Sequence, residues 1–470
     1  MSLTDFLHGV ETVVVDRGPR PIQTVRSSVI GLIGTAPAAL SASFPFDTPV
    51  LVNRRQAAAT IGSTGTLPQA VDAIFDQGGA LIVVVRVEDA ETENEQLSKV
   101  IGGVDATTGA FTGIHAFRAA EAECGVSPMI LIAPGFTHQR PVGVSGHQVT
   151  NQGTKDYTQA TVTFSGGGVG AVLPTATPII TNGKITGLEF QSLGYGIVSP
   201  VTATIGGDGE GATVTIQTGA SANPVVGEMK QLADGMKAHI IADGPSTTDA
   251  AAFAYRNDHG TRRVFVVDPK VSGWSVKTNT YALEPGSPRV AGLISRVDNE
   301  MGFWESPSNK EIYGVGGLGR PIDYAYGDKN SRANILNENQ IATFIRDDGW
   351  YLWGNRTCSA DEKFAFLSVS RTADMIDISI AKAHRWAVDR AITKNYFEDV
   401  TASVRAYMRQ LRTRGAILGG DCWVDPEFNA EADITQGHAT FSYDFTPPYP
   451  AERVTFRSHL VSDYIRNLFA

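Results

Sequence analysis

An α/β protein, α+β overall and built of several domains, is predicted by three observations. Fully apolar runs alternate with amphipathic helical stretches between Pro49 and Gly135 and again between Pro224 and Val267, the pattern of a layered body around a mostly parallel sheet. The 81 residues between them, 141–221, carry only six charged side chains but 16 Gly and 14 Thr, so one body is interrupted by a segment of foreign composition. After Ser287 the pattern turns helical again, and the chain closes, as it opens, on β-forming stretches.

The elements follow in order. Val10 to Val15 is β-rich, Asp16-Arg17-Gly18-Pro19 is a turn, and an apolar run from Ser28 to Ile33 comes next. The body then reads as strand 49–52, helix Leu67 to Phe75, strand Leu81 to Val87, helix Gly113 to Glu123 and strand Met129 to Ala133. It resumes with a helix through Met229, Leu232 and Met236, strand His239 to Ala242, helix Thr248 to Tyr255 and strand Arg263 to Val267. In the insertion, Gly153, Thr161, Thr163, Gly166, Gly168, Gly170 and Ala171 recur 41 residues later as Gly194, Thr202, Thr204, Gly207, Gly209, Gly211 and Ala212. Thr and Val alternate between the Gly turns, so each copy reads as a short β-meander, against the alternative of a Gly-rich linker. Val290, Leu293, Ile294 and Val297 mark a helix. Ile376, Ile380, Ala383, Ala387 and Ala391, followed by Val400, Val404, Met408 and Leu411, read as a helical hairpin broken around Asn395. Alternation returns from Thr440 to Phe445 and from Val454 to Leu460.

The expected organisation is an N-terminal arm (1–26), an α/β body (27–140 plus 222–286), an inserted all-β domain (141–221), a core domain with the helical hairpin (287–448) and a C-terminal arm (449–470).

Composition excludes several classes. A net charge of -10 offers no global field for nucleic acid. Cys124, Cys358 and Cys422 are too few and too far apart for a disulfide framework and suit a reducing compartment. No run of apolar residues is long enough for a membrane span or signal peptide. Chemistry-bearing motifs are weak. Gly314-Val315-Gly316-Gly317-Leu318-Gly319 spells a dinucleotide fingerprint, but Arg320-Pro321 follows where a helix N-terminus is required. His138 and His147 bracket the start of the insertion and read as surface groups at a hinge before they read as metal ligands; His384 lies beside Trp386 on the hairpin. There is no nucleophile elbow, Cys358 has no basic partner nearby in sequence, and Asp347-Asp348-Gly349 reads as a turn. No catalytic residue, cofactor or metal is expected. An α/β enzyme with a nucleotide cofactor and a carbohydrate-binding adhesin remain the alternatives.

One charge pattern stands out. Residues 370–414 hold nine basic against five acidic side chains, and Arg405, Arg409 and Arg412 follow helical spacing opposite an apolar face, so this face suits docking to an acidic protein surface.

Seven stretches, taken in order, carry a family resemblance: His8-Gly9-Val10-Glu11-Thr12-Val13-Val14-Val15-Asp16, Arg20 to Val25, Ile30 to Pro37, Phe303 to Val315, Leu336-Asn337 with Gln340, Trp353 to Thr357 and Pro450 to Phe456. In them the chain resembles the contractile tail sheath proteins of P2-like and Mu-like bacteriophages and of contractile bacteriocins. The resemblance implies a structural subunit that polymerises with itself, as hexameric rings in a helical cylinder around a tail tube protein, between baseplate and tail terminator proteins. It implies contraction that drives the tube through the host envelope for genome delivery. The subunit would be assembled in the host cytoplasm, belong to the virion, and bind neither nucleic acid nor membrane. Terminal arms would add strands to a neighbour's sheet, with Val10, Val13 and Val15 at one end and Val454, Phe456 and Leu460 at the other. Arg405, Arg409 and Arg412 would face the tube, and the insertion would face outward.

Overall fold

The computed structural model describes residues 21–275, 279–462 and 464–465. The strand donors Val10, Val13 and Val15 lie outside the described residues.

The body opens with β1 (Val29–Thr35), β2 (Pro49–Val52), α1 (Leu67–Phe75) and β3 (Leu81–Val87), followed by α2 (Glu93–Ile101). A short hairpin, β4 (Gly103–Val104) and β5 (Phe111–Thr112), leads to α3 (Ala120–Cys124) and β6 (Ile130–Ile132). The insertion contributes β7 (Val142–Lys155), β8 (Ala160–Gly166), β9 (Thr175–Thr181), β10 (Lys184–Ser192), β11 (Val201–Gly207) and β12 (Glu210–Ala220). The body resumes with α4 (Pro224–Met236), β13 (His239–Asp243), α5 (Asp249–Asn257), β14 (Val264–Val267), β15 (Val271–Ser275), β16 (Thr280–Glu284) and α6 (Ser287–Glu300). Then come β17 (Lys310–Glu311), β18 (Val315–Leu318), α7 (Arg332–Glu338), β19 (Ile341–Arg346) and β20 (Trp350–Trp353). The C-terminal part is α8 (Leu367–Ala383), α9 (Lys394–Arg414), β21 (Gly419–Trp423), α10 (Glu431–Thr435) and β22 (Ser442–Thr446).

Nine strands form one sheet in the order β17-β20-β19-β14-β13-β6-β1-β3-β2. The six from β19 to β3 are parallel, and the strands beyond them at either edge are antiparallel. Alternation within the buried strands divides the core in two. Ile30, Leu32, Ile82 and Val84 pack against α1 and α6, whereas Val29, Ile33, Val83 and Val85 pack against α2, α4 and α5. A one-residue slip would exchange these faces, which ties register to burial. Local chemistry starts the helices. Asn223 accepts from the amides of Val225 and Val226 ahead of α4, with Pro224 at the first position, and Thr92, Thr248 and Thr393 cap α2, α5 and α9 in the same way.

The expected division between 286 and 287 falls inside this unit. β14 pairs with β19 through Val266↔Ile341, and α6 covers the same sheet face as α1, so the sheet closes only at Trp353. The expected helix from Gly113 is a 3₁₀ segment to Ala119, because Gly113 sits at φ 58 against the Gly102 backbone and only Ala120–Cys124 is α-helical.

In the insertion the two copies do not each fold as a separate meander; they pair with one another. The sheet order is β7-β12-β11-β8, with β9–β10 as a separate hairpin packed beside β8 and β7. Across β8 and β11, Thr163 faces Thr204, its own repeat equivalent, with Val162↔Ile205 and Phe164↔Ala203 on either side. This register places a local two-fold axis between the copies. Each copy alone would leave a sheet edge and an apolar face uncovered, and pairing hides both. His147 lies within this unit, where its Nε2 accepts from the Leu188 amide at 3.0 Å.

The helical hairpin also differs from expectation. α8 ends at Ala383, and the turn through 384–393 contains Asp389 at φ 61, so Ala387 and Ala391 lie between the helices. Asn395 is in the first turn of α9, capped by Thr393, and His384 is the residue after α8, its Nδ1 against the Ile380 carbonyl. The spacing of small residues continued through the break because Ala is tolerated in turns as well as helices.

Candidate assembly surfaces

α8, α9, β21 and β22 form a third core around Met375, Ile376, Val404, Met408 and Leu411. Residues 22–26, expected to belong to the N-terminal arm, and Ser27 after them are fixed onto the hairpin and α6. Ile22 is part of that core, the Val25 amide donates to Ser379 Oγ at 3.1 Å, and Ser27 Oγ donates to Asp298 Oδ2 at 2.6 Å.

Buried charges lock the hairpin to the body. The Asp374 carboxylate on α8 is buried, accepting from Arg262 at 3.2 Å and from Arg263. Arg371 of α8 grips Asp298 of α6 with both terminal nitrogens, at 2.9 and 2.5 Å. Burial pushes the Asp374 carboxyl upward while the two guanidinium groups pull against it. His239 is held well below the usual imidazole value by burial and then by Arg263, so it remains neutral, and its Nε2 shares a hydrogen with Ser370 Oγ at 2.9 Å. Arg371 and Asp374 were counted in the cationic stretch of the sequence; neither belongs to a solvated face.

Arg405, Arg409 and Arg412 are exposed on α9. Arg405 Nε donates to Asp421 Oδ1 at 2.7 Å, which joins it to β21 of its own chain. Backbone donation from Cys422, and then Arg405, holds the Asp421 carboxyl below its ordinary value.

β21 and β22 pair only with each other, so among the described residues both outer edges of this sheet lack a neighbouring strand. Beyond Thr446 the chain has no regular structure through 461. Tyr449 rests edge-on against Phe366, and Glu452 forms a two-pronged pair with Arg356 at 2.6 and 2.5 Å. Past that anchor Val454 is 67% exposed, Phe456 91%, and Leu460 fully. The expected strand from Val454 to Leu460 is not formed within this chain, since none of its residues has a strand to pair with.

In an open parallel sheet, ligands enter where strand order reverses, here between the ends of β1 and β6. Thr66 fills that crevice: its Oγ1 accepts from the Thr35 amide at 3.1 Å, and a Cβ at Gly34 or Gly135 would stand 2.2 or 3.3 Å from Thr66 atoms. Val315–Leu318 of the glycine motif is a strand, β18, paired with β15, not a loop opening a helix. Burial pushes the Cys358 thiol up to about 12 and pulls His138 down to about 4. Asp348, at φ 55, sits in the expected turn. Among the described residues no three His, Cys, Asp or Glu side chains are grouped to hold a metal.

Comparison with known proteins agrees with this picture. Residues 27–87 match the description "Tail sheath protein Gp18 domain III N-terminal region", 209–358 "Phage tail sheath protein central domain" and 359–460 "Phage tail sheath C-terminal domain". The chain is 35% identical over 461 residues to a prophage major tail sheath protein of Pseudomonas aeruginosa, covering 98% of each. It is 29% identical to the tail sheath protein of Escherichia phage P2 (99% and 98% covered) and 31% identical to that of Burkholderia phage BcepMu (99% and 98%). Its fold is similar to the contracted helical sheath of the anti-feeding prophage, with TM-score 0.61, 15% identity and 97% and 99% of the chains covered. It is likewise similar to the contracted sheath of an extracellular contractile injection system, with TM-score 0.58, 14% identity and 98% and 99% covered. With family matches in order along the chain and a relative this similar over nearly its whole length, this chain belongs to the contractile phage tail sheath proteins.

Proposed function

We propose that this structural sheath subunit polymerises by exchanging strands: its C-terminal arm, and residues 10–15 at the other end, complete the β21–β22 sheets of neighbouring copies. The observation that carries the reading is the coincidence, in one chain, of a sheet with two open edges and an anchored arm whose alternating apolar residues face water. Main-chain hydrogen bonds would join the copies and alternate side chains would set register. A heterologous contact of this kind does not close on a pair, so it propagates as a helical lattice, here of six-fold rings. Electron microscopy of the purified chain tests it: hollow cylinders are the expected result, and a persistent monomer overturns the proposal.

In this reading the lattice assembles in the host cytoplasm around a tail tube, on a baseplate and below a terminator, and becomes part of the virion. The extended lattice is metastable and contraction buries more surface between bodies while the arms keep copies tethered. About 400 Å² of additional apolar burial at ~25 cal/mol/Å² is worth roughly 10 kcal/mol per subunit before ordering costs, which needs no fuel and no catalytic site. The filled crevice at Thr66 supports a non-enzymatic role.

The tube contact falls to α9. Because Arg405 already serves Asp421, Arg409 and Arg412 carry most of the attraction, in pairs weak enough to break on contraction. Reversing Arg405, Arg409 and Arg412 to Glu is expected to impair assembly on tubes, scored by counting sheathed tubes in micrographs; normal sheathing would rule the contact out.

The insertion faces outward and is dispensable for the lattice. Its ends, Val142 and Ala220, are paired to each other in β7 and β12, so a short linker can replace 141–221 without parting the body. The deletion is expected to polymerise still, by light scattering; failure to do so would place the insertion in the lattice.

A further inference from the structure

The glycine motif at 314–319 contributes to a small antiparallel sheet. β16, β15 and β18 pair in that order, and the layer packs on α1 and α6. Gln69 of α1 donates to Glu284 Oε1 at 2.7 Å, Arg289 of α6 donates to Glu284 Oε2 at 3.1 Å, and Val315 and Leu318 pack against the core there. Strand alternation sends the intervening side chains outward. Trp274 and Tyr281 stand directly opposite one another, their rings edge to face at 4.9 Å, and Leu283 follows on the same side. Tyr281 lies over Gly316, where any side chain would run into its ring. Trp274, Tyr281 and Leu283 are 42%, 62% and 60% exposed, and Ser272 and Gly317 beside them add no charge.

We infer that the body of a second copy packs on this face when the lattice contracts, so that Trp274, Tyr281 and Leu283 belong to the surface that contraction buries. The inference deepens the proposed function and rests on it. Three observations name this occupant. The first is area. With whole aromatic side chains at ~150–250 Å², the exposed fractions leave roughly 300 Å² of apolar surface bare, close to the ~400 Å² per subunit that would drive contraction. A partner arriving from solution needs about 800 Å² on each side for a stable contact. The patch is therefore too small to capture a free protein and suffices only between copies already tethered, where effective concentration replaces area. The second is position. The patch stands on the flank of the body, above Arg289 in the first turn of α6, whereas the hairpin is fixed to Asp298 in the last turn, ~14 Å further along that helix. Contact there leaves α9 and the arms free for the roles proposed for them. The third is preorganisation. The face carries no charge to draw in a distant partner, and the Arg289–Glu284 pair beneath it is buried, with side chains 2% and 5% exposed. Little order is lost when another surface meets it.

Photo-cross-linking in assembled tails tests the inference. Tyr281 is replaced by benzoylphenylalanine, and tails are irradiated before and after contraction is triggered with urea. The expected result is a dimer of this chain on a denaturing gel from contracted tails, at least tenfold weaker from extended ones. Equal yields in the two states, a product with the tube protein, or no product from contracted tails overturns the inference while leaving strand exchange intact. In a second arm Trp274→Ser, Tyr281→Ser and Leu283→Ser are combined, and Tyr281→Ser alone takes their place if the triple variant melts early. Sheathed tubes are expected in unaltered number, and contracted ones at a tenth of it or fewer; contraction at the unaltered level overturns the inference. Cylinders formed by chains lacking both arms would instead remove the tethering on which the inference rests, and the inference with it.

Discussion

Chains lacking residues 449–470 are expected to fold as soluble monomers and to form no cylinders. The arm contributes little to its own globule. Among the described residues its ties are one ring contact, Tyr449 on Phe366, and the Arg356–Glu452 pair, whose side chains are 35% and 46% exposed. An exposed pair of this kind is worth about 1 kcal/mol or less, so the melting temperature should fall by no more than ~4 °C. Association, in contrast, loses its main-chain bonds and three apolar anchors together, and anchors of that kind dominate binding energy. Removing residues 1–20 is expected to have the same effect. Calorimetry and light scattering on the same samples separate the two consequences; clipped chains that still build cylinders would end the strand-exchange proposal.

The largest effect on stability is expected at Asp374. Replacing it by Ala leaves Arg263, 5% exposed, with Asp234 as its remaining carboxylate and takes the Asp374 carboxylate from Arg262. Breaking a buried pair from one side costs about 3–5 kcal/mol, because the remaining charge stays desolvated. Arg405→Ala is the control: it removes a guanidinium that is paired but solvent-exposed, and should leave the denaturation midpoint nearly unchanged. Urea titration reads both. Since Asp374 ties α8 to β14's approach, the variant should also loosen the hairpin from the body before the body unfolds, seen as faster hydrogen exchange in α8 and α9. A loss below ~1 kcal/mol would mean that the network is not the lock it is taken to be.

The alternation of buried strands with amphipathic helices, the foreign composition of 141–221, its 41-residue repeat and the helix at 287–300 were all legible in the sequence. Each depends on neighbours a few residues away, through the two- and 3.6-residue periods of strand and helix. Val454, Phe456 and Leu460 are exposed, and so are Arg405, Arg409 and Arg412; exposure alone does not assign either set a partner. The face where Tyr281 lies over Gly316 was not legible, because β18 reaches β15 from beyond α6. The division expected at 286 cuts through one sheet, because β19 joins it by pairing with β14, a long-range contact that no local period encodes.

The sequence by itself determined most of the strands and helices of the body, that a repeated β unit interrupts it, and that the termini are apolar in alternation, because these follow from short-range sterics and the spacing of apolar side chains. Only the tertiary structure decided that the two repeats pair across a local two-fold axis, that Thr66 closes the crevice, and that Arg371 is buried against Asp298 while Arg409 meets solvent. An arginine is spelled the same in both places, and its role is set by desolvation and by partners tens to hundreds of residues away.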